Sequence, residues 1–219
     1  METFAFIYSQ WPTLWGLIQQ HVFFVGIAVL IAIATGVPIG IWISFNAEAA
    51  AVVLYIAGVI MTIPSIALFG IMIPILSVFG HGIGTVPAVV ALVLYSQLPI
   101  IRNTHAAIVS VESSIIDAGT GMGMNNRQLL WKVRLPMALS VIFAGVRVAV
   151  AMSIGIGAIA AIIGAGGVGQ FIYQGIDRSY DAMVNSGALT LAVMAIVVDY
   201  VFERLEMKLV SPGLREEAA

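Results

Sequence analysis

The chain has 219 residues, 61% of them hydrophobic and only 9% charged, with a formal net charge of -2 and no cysteine. Soluble domains carry about 25% charged residues, so this composition belongs in a bilayer and predicts a compact polytopic membrane domain. Without cysteine there are no disulfides, thiolate metal sites or cysteine nucleophiles in the chain, and the charge balance gives no reason to expect nucleic acid.

In chain order, Glu2 is the one charge before Phe4 and the first basic residue is Arg102, so no cleaved signal peptide is expected. Residues 1–21 read as an outer interfacial segment, because Tyr8, Trp11 and Trp15 suit the headgroup region. A membrane span takes roughly 20 apolar residues. No Asp, Glu, Lys or Arg lies between Thr3 and Ala47, or between Ala49 and Ile101. Residues 22–43 therefore predict the first span, ending at "SFNAE", and 51–76 the second, ending at "SVFGHGIGTVP". Residues 87–101 predict the third, which stops where Arg102, Asn103 and His105 arrive.

Arg147 sets the depth of the fourth span. An arginine at the bilayer centre costs about 2.5–3.5 kcal/mol on insertion scales, so Arg147 belongs near an interface. Residues 136–143 become a lead-in helix at the membrane surface, and 144–163 the span. Residues 182–201 form the fifth, and 202–219 a tail. Internal glycines and prolines are tolerable where neighbouring helices re-satisfy the backbone.

Five spans put the termini on opposite sides. With the N-terminus outside, the inner segments hold Arg102, Arg127, Lys132, Arg134, Arg204, Lys208 and Arg215, with Arg147 at the inner boundary, whereas the outer ones hold only Arg178. The positive-inside rule selects that orientation. It makes 102–143 the longest cytoplasmic segment.

Within it lies "DAGTGMGMNNRQLLWKVRLP". Ser114 and Asp117 match a capping box and predict a helix start. Gly123, Asn125 and Asn126 supply turn conformations that end this helix and cap a second over 127–133. Pro136 disfavours helix at Leu135 and should break the chain there. A solvated loop is the plain alternative. However, Ile115, Ile116, Met122, Met124, Leu129, Leu130 and Trp131 are too many apolar groups for a wet connection, and predict a face buried against a partner protein.

Asp117-Ala118-Gly119, then Gly123, then Val133, Leu135 and Pro136, resemble the "EAA" signature of bacterial ABC-importer permeases, with Asp for Glu, Gly for the second Ala and Val for Ile. "TIPSIALFGIMIP", "GIGTVPAVVALVLYSQLPIIRNT" and "AGVRVAVAMSIGIGAIAAIIGAGGVGQFI" are similar to permeases for quaternary-amine osmoprotectants such as glycine betaine, carnitine and choline. The resemblance covers about residues 20–205. It implies an all-α fold of the type I importer permease kind and one permease domain over 1–219. It also implies a cytoplasmic coupling helix that docks on a separate ABC ATPase, through Asp117, Ala118, Gly119, Gly123, Leu135 and Pro136. The implied partners are that ATPase, which binds the ATP and Mg, a second permease chain (identical or paralogous), an extracytoplasmic solute-binding protein and the lipid of a bacterial inner membrane. No catalytic, cofactor or metal site is expected in this chain, which has no G-x-x-x-x-G-K-[ST] loop.

"GAGGVG" at 164–169 fits a dinucleotide fingerprint, but that motif needs a βαβ unit and here it follows a span. Gly164, Gly166, Gly167 and Gly169 instead predict a flexible outer re-entrant turn, packed over the pathway mouth beside Phe171, Tyr173 and Tyr180. With Pro64 and Ser65 they are the candidates for pathway or gate. His21, His81 and His105 are expected to be solvated at interfaces. Asp199, Glu203 and Glu206 share a helical face and are expected to pair with Arg204 and Lys208. Gly155, Gly157 and Ser153 permit close helix contact. Trp42, Tyr55, Phe69 and Tyr95 are too scattered for a cation-π cage, which is assigned to the binding protein. The competing reading is an ABC permease for another small solute, such as an amino acid. An ion-coupled carrier or channel subunit needs ionisable groups at mid-membrane, and an intramembrane hydrolase needs a nucleophile and base at depth; no such groups are placed there.

Overall fold

A computed structural model describes residues 2–209, and the expected position of Arg215 and most of the 202–219 tail lie outside them. The short helix α1 (Glu2–Ser9) is followed by α2 (Trp11–Ile43), which runs 33 residues without interruption. Its buried positions Leu14, Leu17, His21, Phe24, Ala28, Ala32, Gly36, Gly40 and Ile43 recur every three or four residues, the stripe that a helix needs to bury one face. The helix that contains the expected first span thus begins well before residue 22. Tyr8, Trp11 and Trp15, in the segment expected at the outer interface, are exposed. His21, expected at a wet interface, is instead fully buried, and its Nε2 pairs with the Ile154 carbonyl at 3.1 Å.

Residues 51–76 are not one straight helix. Helix α3 (Ala47–Thr62) and α4 (Ser65–Ser77) meet at 101°. Proline forces the preceding residue out of the α region, and Ile63 is accordingly extended at φ −68, ψ 127. The Tyr95 hydroxyl donates to the Ile63 carbonyl and so occupies an acceptor freed by the break. Among the described residues four helices are long and apolar enough to cross a membrane, five if this bent pair is one span.

Helix α5 (Thr85–Val109) continues past Arg102, Asn103 and His105. The expected stop at Ile101 concerns the membrane span, and the helix itself runs on beyond it. Polar side chains do not break a helix, and Asn103 Nδ2 donates back to the Pro99 carbonyl at 2.8 Å. After α6 (Ser113–Gly121) and α7 (Asn126–Leu129), one turn of π-helix at Leu130–Arg134 leads straight into α8 (Leu135–Ile159). The predicted break at Pro136 is absent because the wide turn bonds Leu135 N–H to the Leu130 carbonyl and leaves proline in the first turn of α8, where its missing donor costs little. No separate lead-in helix exists. Helix α9 (Gly169–Asp177) and α10 (Asp181–Leu209) complete the fold, α10 outlasting the expected 182–201.

The core is the triad α2, α5 and α8, joined by Phe24, Ala28, Leu92, Ile100, Ala149 and Ile154. Glycine sets the spacing. A Cβ on Gly36 would lie 2.8 Å from Ile100 Cγ2, one on Gly40 2.6 Å from Thr104 Cβ, and one on Gly145 2.6 Å from Asn103 Cβ. Gly36 and Gly40 form the G-x-x-x-G pattern that lets membrane helices approach closely. Ser96 and Ser153 hydrogen-bond at 3.1 Å within this core. Ser153 and Gly157 pack in it as expected, whereas nothing meets a Cβ on Gly155. Phe6 of α1 packs edge-on to Phe171 and Tyr180, centroids 5.6 and 5.3 Å apart, closing the fold.

Candidate functional site

The projection between α5 and α8 is built from local rules. Ser114 does not cap α6: Glu112 is the N-cap, and the Ser114 hydroxyl donates to Glu112 Oε1 at 2.5 Å. The helix ends at Met122, and Gly123 turns the chain at φ +82, a conformation glycine reaches without penalty. Asn125 then caps α7 with a complete capping box: Gln128 N–H donates to Asn125 Oδ1 and Asn125 N–H to Gln128 Oε1, both at 2.9 Å.

The two short helices are clamped by Leu129, 5% exposed, whose Cδ2 would sit 2.6 Å from a Cβ on Gly119. That contact gives the glycine at this position a packing role. Leu130 and Leu135 pack against Ala107, Ile108, Ala138 and Ile142, so the projection is seated on α5 and α8. The Arg134 guanidinium lies 5.8 Å from the Phe45 ring centroid and ties in the α2–α3 corner. Asp117, Ala118, Gly123, Arg127 and Lys132 are exposed, as are Met122 at 72% and Trp131 at 59%. The outcome is a partly apolar, basic knob in which α6 is clamped to α7 and α7 continues helically into α8.

The glycine turn lies at the other end of the molecule, where it packs closely against α2 and α8. Gly164, Gly166 and Gly167 all have φ +79. Gly84 N–H donates to the Ile163 carbonyl at 2.9 Å, and Gly167 N–H to Gln20 Oε1 at 3.3 Å, fastening the turn to α5 and α2. A Cβ on Gly167 would lie 2.8 Å from His21 Nδ1, and one on Gly169 would overlap the Ala158 carbonyl. Pro64 and Ser65 mark the α3–α4 break. That break shares a cluster with this turn, since Leu68, Phe69 and Tyr95 pack with Ala160 and Ala165. Phe69 and Tyr95 are therefore neighbours, while Trp42 and Tyr55 face outward at 59% and 72% exposure.

Among the described residues the acidic face of α10 makes no ion pair with Arg204 or Lys208, contrary to expectation. Arg147 of α8 takes it: Nη2 is 2.8 Å from Asp199 Oδ1, and Nη1 is 3.5 Å from Glu206 Oε2. Arg204 instead lies over the Tyr200 ring at 4.8 Å. Among the described residues, no three His, Asp or Glu side chains gather in a way that could hold a metal ion.

Residues 36–215 match the family model described as "Binding-protein-dependent transport system inner membrane component". The chain is 47% identical to the osmoprotectant import permease protein OsmW of Salmonella typhimurium, over 98% of this chain and all of the relative. It is 38% identical to the carnitine transport permease protein OpuCB of Listeria monocytogenes, over 90% of this chain and 88% of that one. With the choline transport system permease protein OpuBB of Bacillus subtilis the identity is 36%, again over 90% and 88%. The fold is similar to a chain of the MetNI methionine ABC transporter in an inward-facing conformation, with a TM-score of 0.81 at 24% identity over 91% of this chain and 99% of that one.

Proposed function

Because the chain belongs to the family of inner-membrane components of binding-protein-dependent transport systems, and is the multi-pass permease subunit of an ABC importer, we propose that it imports quaternary-amine osmoprotectants of the glycine betaine, carnitine and choline type. The relatives named for such solutes support this reading. The N-terminus lies outside and the projection α6–α7 inside, where a separate ATPase docks on Asp117, Ala118 and the exposed Met122 and Trp131. Gly119, Gly123, Leu135 and Pro136 hold that surface at the foot of α8. Pro64, Ser65 and the glycines of the turn serve the outer pathway. A solute-binding protein delivers from outside and a second permease chain, identical or paralogous, completes the channel, with 1–219 acting as one domain.

The observation that carries this proposal is the unbroken helical path from Asn126 through the π-turn to Ile159. Helix α7 is joined to the span without a hinge, and α6 is held to α7 across the Gly123 turn by Leu129 against Gly119, so closure of the ATPase pair on α6 is transmitted as helix motion. The test is uptake of glycine betaine into proteoliposomes holding the permease with its ATPase, ATP inside and binding protein outside. Uptake should need all three. Uptake by the permease alone, driven by an ion gradient, would establish a secondary carrier instead.

A further inference from the structure

A cavity of about 360 Å³ lies beneath the glycine turn, lined by Gln20, Thr85, Gly166, Gln170 and the rings of Phe23 and Phe24. Its size is within the roughly 300–1,000 Å³ range of small-molecule sites. Four chain segments meet there: the N-terminal half of α2, the first residue of α5, the turn that follows α8, and the start of α9. It is thus at the opposite end of the molecule from α6–α7, which joins the far ends of α5 and α8.

The construction is specific. Gln20 Oε1 is used in accepting from Gly167 N–H, which leaves its amide N–H₂ as the available donor. A Cβ on Gly166 would come within 2.5 Å of Gln20 Oε1 and 3.9 Å of Gln170 Nε2, so the missing side chain is what lets the two amides flank one point. The Gln170 amide and the Thr85 hydroxyl make no hydrogen bond among the described residues. The lining carries no charged side chain, and Phe23 is 65% exposed beside it.

We propose that this cavity is a low-affinity receiving site for a small zwitterionic solute, with its carboxylate on the Gln20 and Gln170 amides and the Thr85 hydroxyl and its ammonium on the Phe23 face. The chemistry selects that class. Amide and hydroxyl donors satisfy a carboxylate, an aromatic face attracts a quaternary ammonium, and the lack of acidic side chains gives a bare cation nothing to pair with. Neutral donors also hold an anion less tightly than arginine would, which suits a station that must release its solute. The inference rests on the importer reading given above.

The test is equilibrium binding of radiolabelled glycine betaine, and separately of choline, to the permease–ATPase complex in nanodiscs without binding protein. The unaltered complex should bind glycine betaine at millimolar concentration and choline more weakly. Gln170→Leu should weaken glycine betaine binding about tenfold, the size of one hydrogen bond to a charged group, and change choline binding less than twofold. Gln170→Glu, close to isosteric, should abolish glycine betaine binding and strengthen choline binding, a reversal that loss of packing cannot produce. Equal weakening of both ligands, or no glycine betaine binding by the unaltered complex, overturns the site. ATP-driven uptake in proteoliposomes is measured alongside: uptake without binding removes only the cavity, whereas absence of uptake removes the importer reading itself.

Discussion

Arg147 of α8 grips Asp199 of α10 through both Nε and Nη2, at 3.0 and 2.8 Å, and reaches on to Glu206 at 3.5 Å. Two helices that otherwise meet through apolar side chains are thereby fixed in register. The Arg147 side chain is 29% exposed and that of Asp199 54%, so the pair is worth about 1 kcal/mol rather than the full value of a buried charge pair.

A double-mutant cycle reads that value. Arg147→Met and Asp199→Asn should each lower the unfolding midpoint in detergent, and the double variant should lose less than the sum, with a coupling of about 1 kcal/mol. Strict additivity would mean that the two side chains stabilise their helices independently.

Gly40 faces the Thr104 side chain, and a Cβ there would lie 2.6 Å from Thr104 Cβ, an atom fixed to the backbone. Gly40→Val should cost about 1–3 kcal/mol by overpacking, seen as a lower unfolding midpoint, and Thr104→Gly in the same chain should recover part of it. An unchanged midpoint in Gly40→Val would show that α2 and α5 do not pack as described.

At Gly119 the clash is with Leu129 Cδ2, the tip of a rotatable side chain. Gly119→Ala should be tolerated, because the helix gains about 1 kcal/mol of propensity while Leu129 turns aside. Gly119→Val adds branches that a rotamer change cannot clear, and should weaken ATPase association at least tenfold in a pull-down. Equal binding by both variants would remove the Leu129 clamp from the account.

Orientation is open to direct labelling, because the chain has no cysteine. A membrane-impermeant thiol reagent applied to intact cells should modify Gln10→Cys and leave Asn126→Cys untouched until the membrane is opened. Both residues are exposed. Labelling of Asn126→Cys from outside would invert the topology. A probe at Ala218 would lie outside the described residues.

The sequence shows where the chain is apolar, which basic residues cluster and where Gly123 and Asn125 must turn it, because composition, charge and backbone freedom are local. It does not show where helices end. Arg102 and His105 lie inside α5 rather than at its end, and Pro136 is absorbed by a π-turn that depends on hydrogen bonds five residues apart. The spans' mutual packing was hidden for the same reason, although Gly36 and Gly40 were a readable sign of a close approach. His21, Gln20 and Gln170 acquire their roles only when α2 meets the turn at 164–169, a contact across more than a hundred residues. Arg147 and Asp199 were both placed at the inner ends of their spans, and only the register of α8 against α10 makes them partners.

In the proposed importer the ATPase stroke would pass from α6 to α8 through the turn at Gly123, a left-handed position. At Gly123, φ is +82 and nothing lies within 4 Å of a would-be Cβ, so a substitution there acts on the backbone alone. The decisive measurement is the ATP-driven uptake rate per ATPase bound, in proteoliposomes, for Gly123→Asn and Gly123→Val. Asparagine tolerates this region and a β-branched residue does not. The account predicts that Asn keeps most of the uptake while Val loses it at normal membrane insertion; uptake by Gly123→Val at the unaltered rate, with the ATPase bound as before, would contradict it.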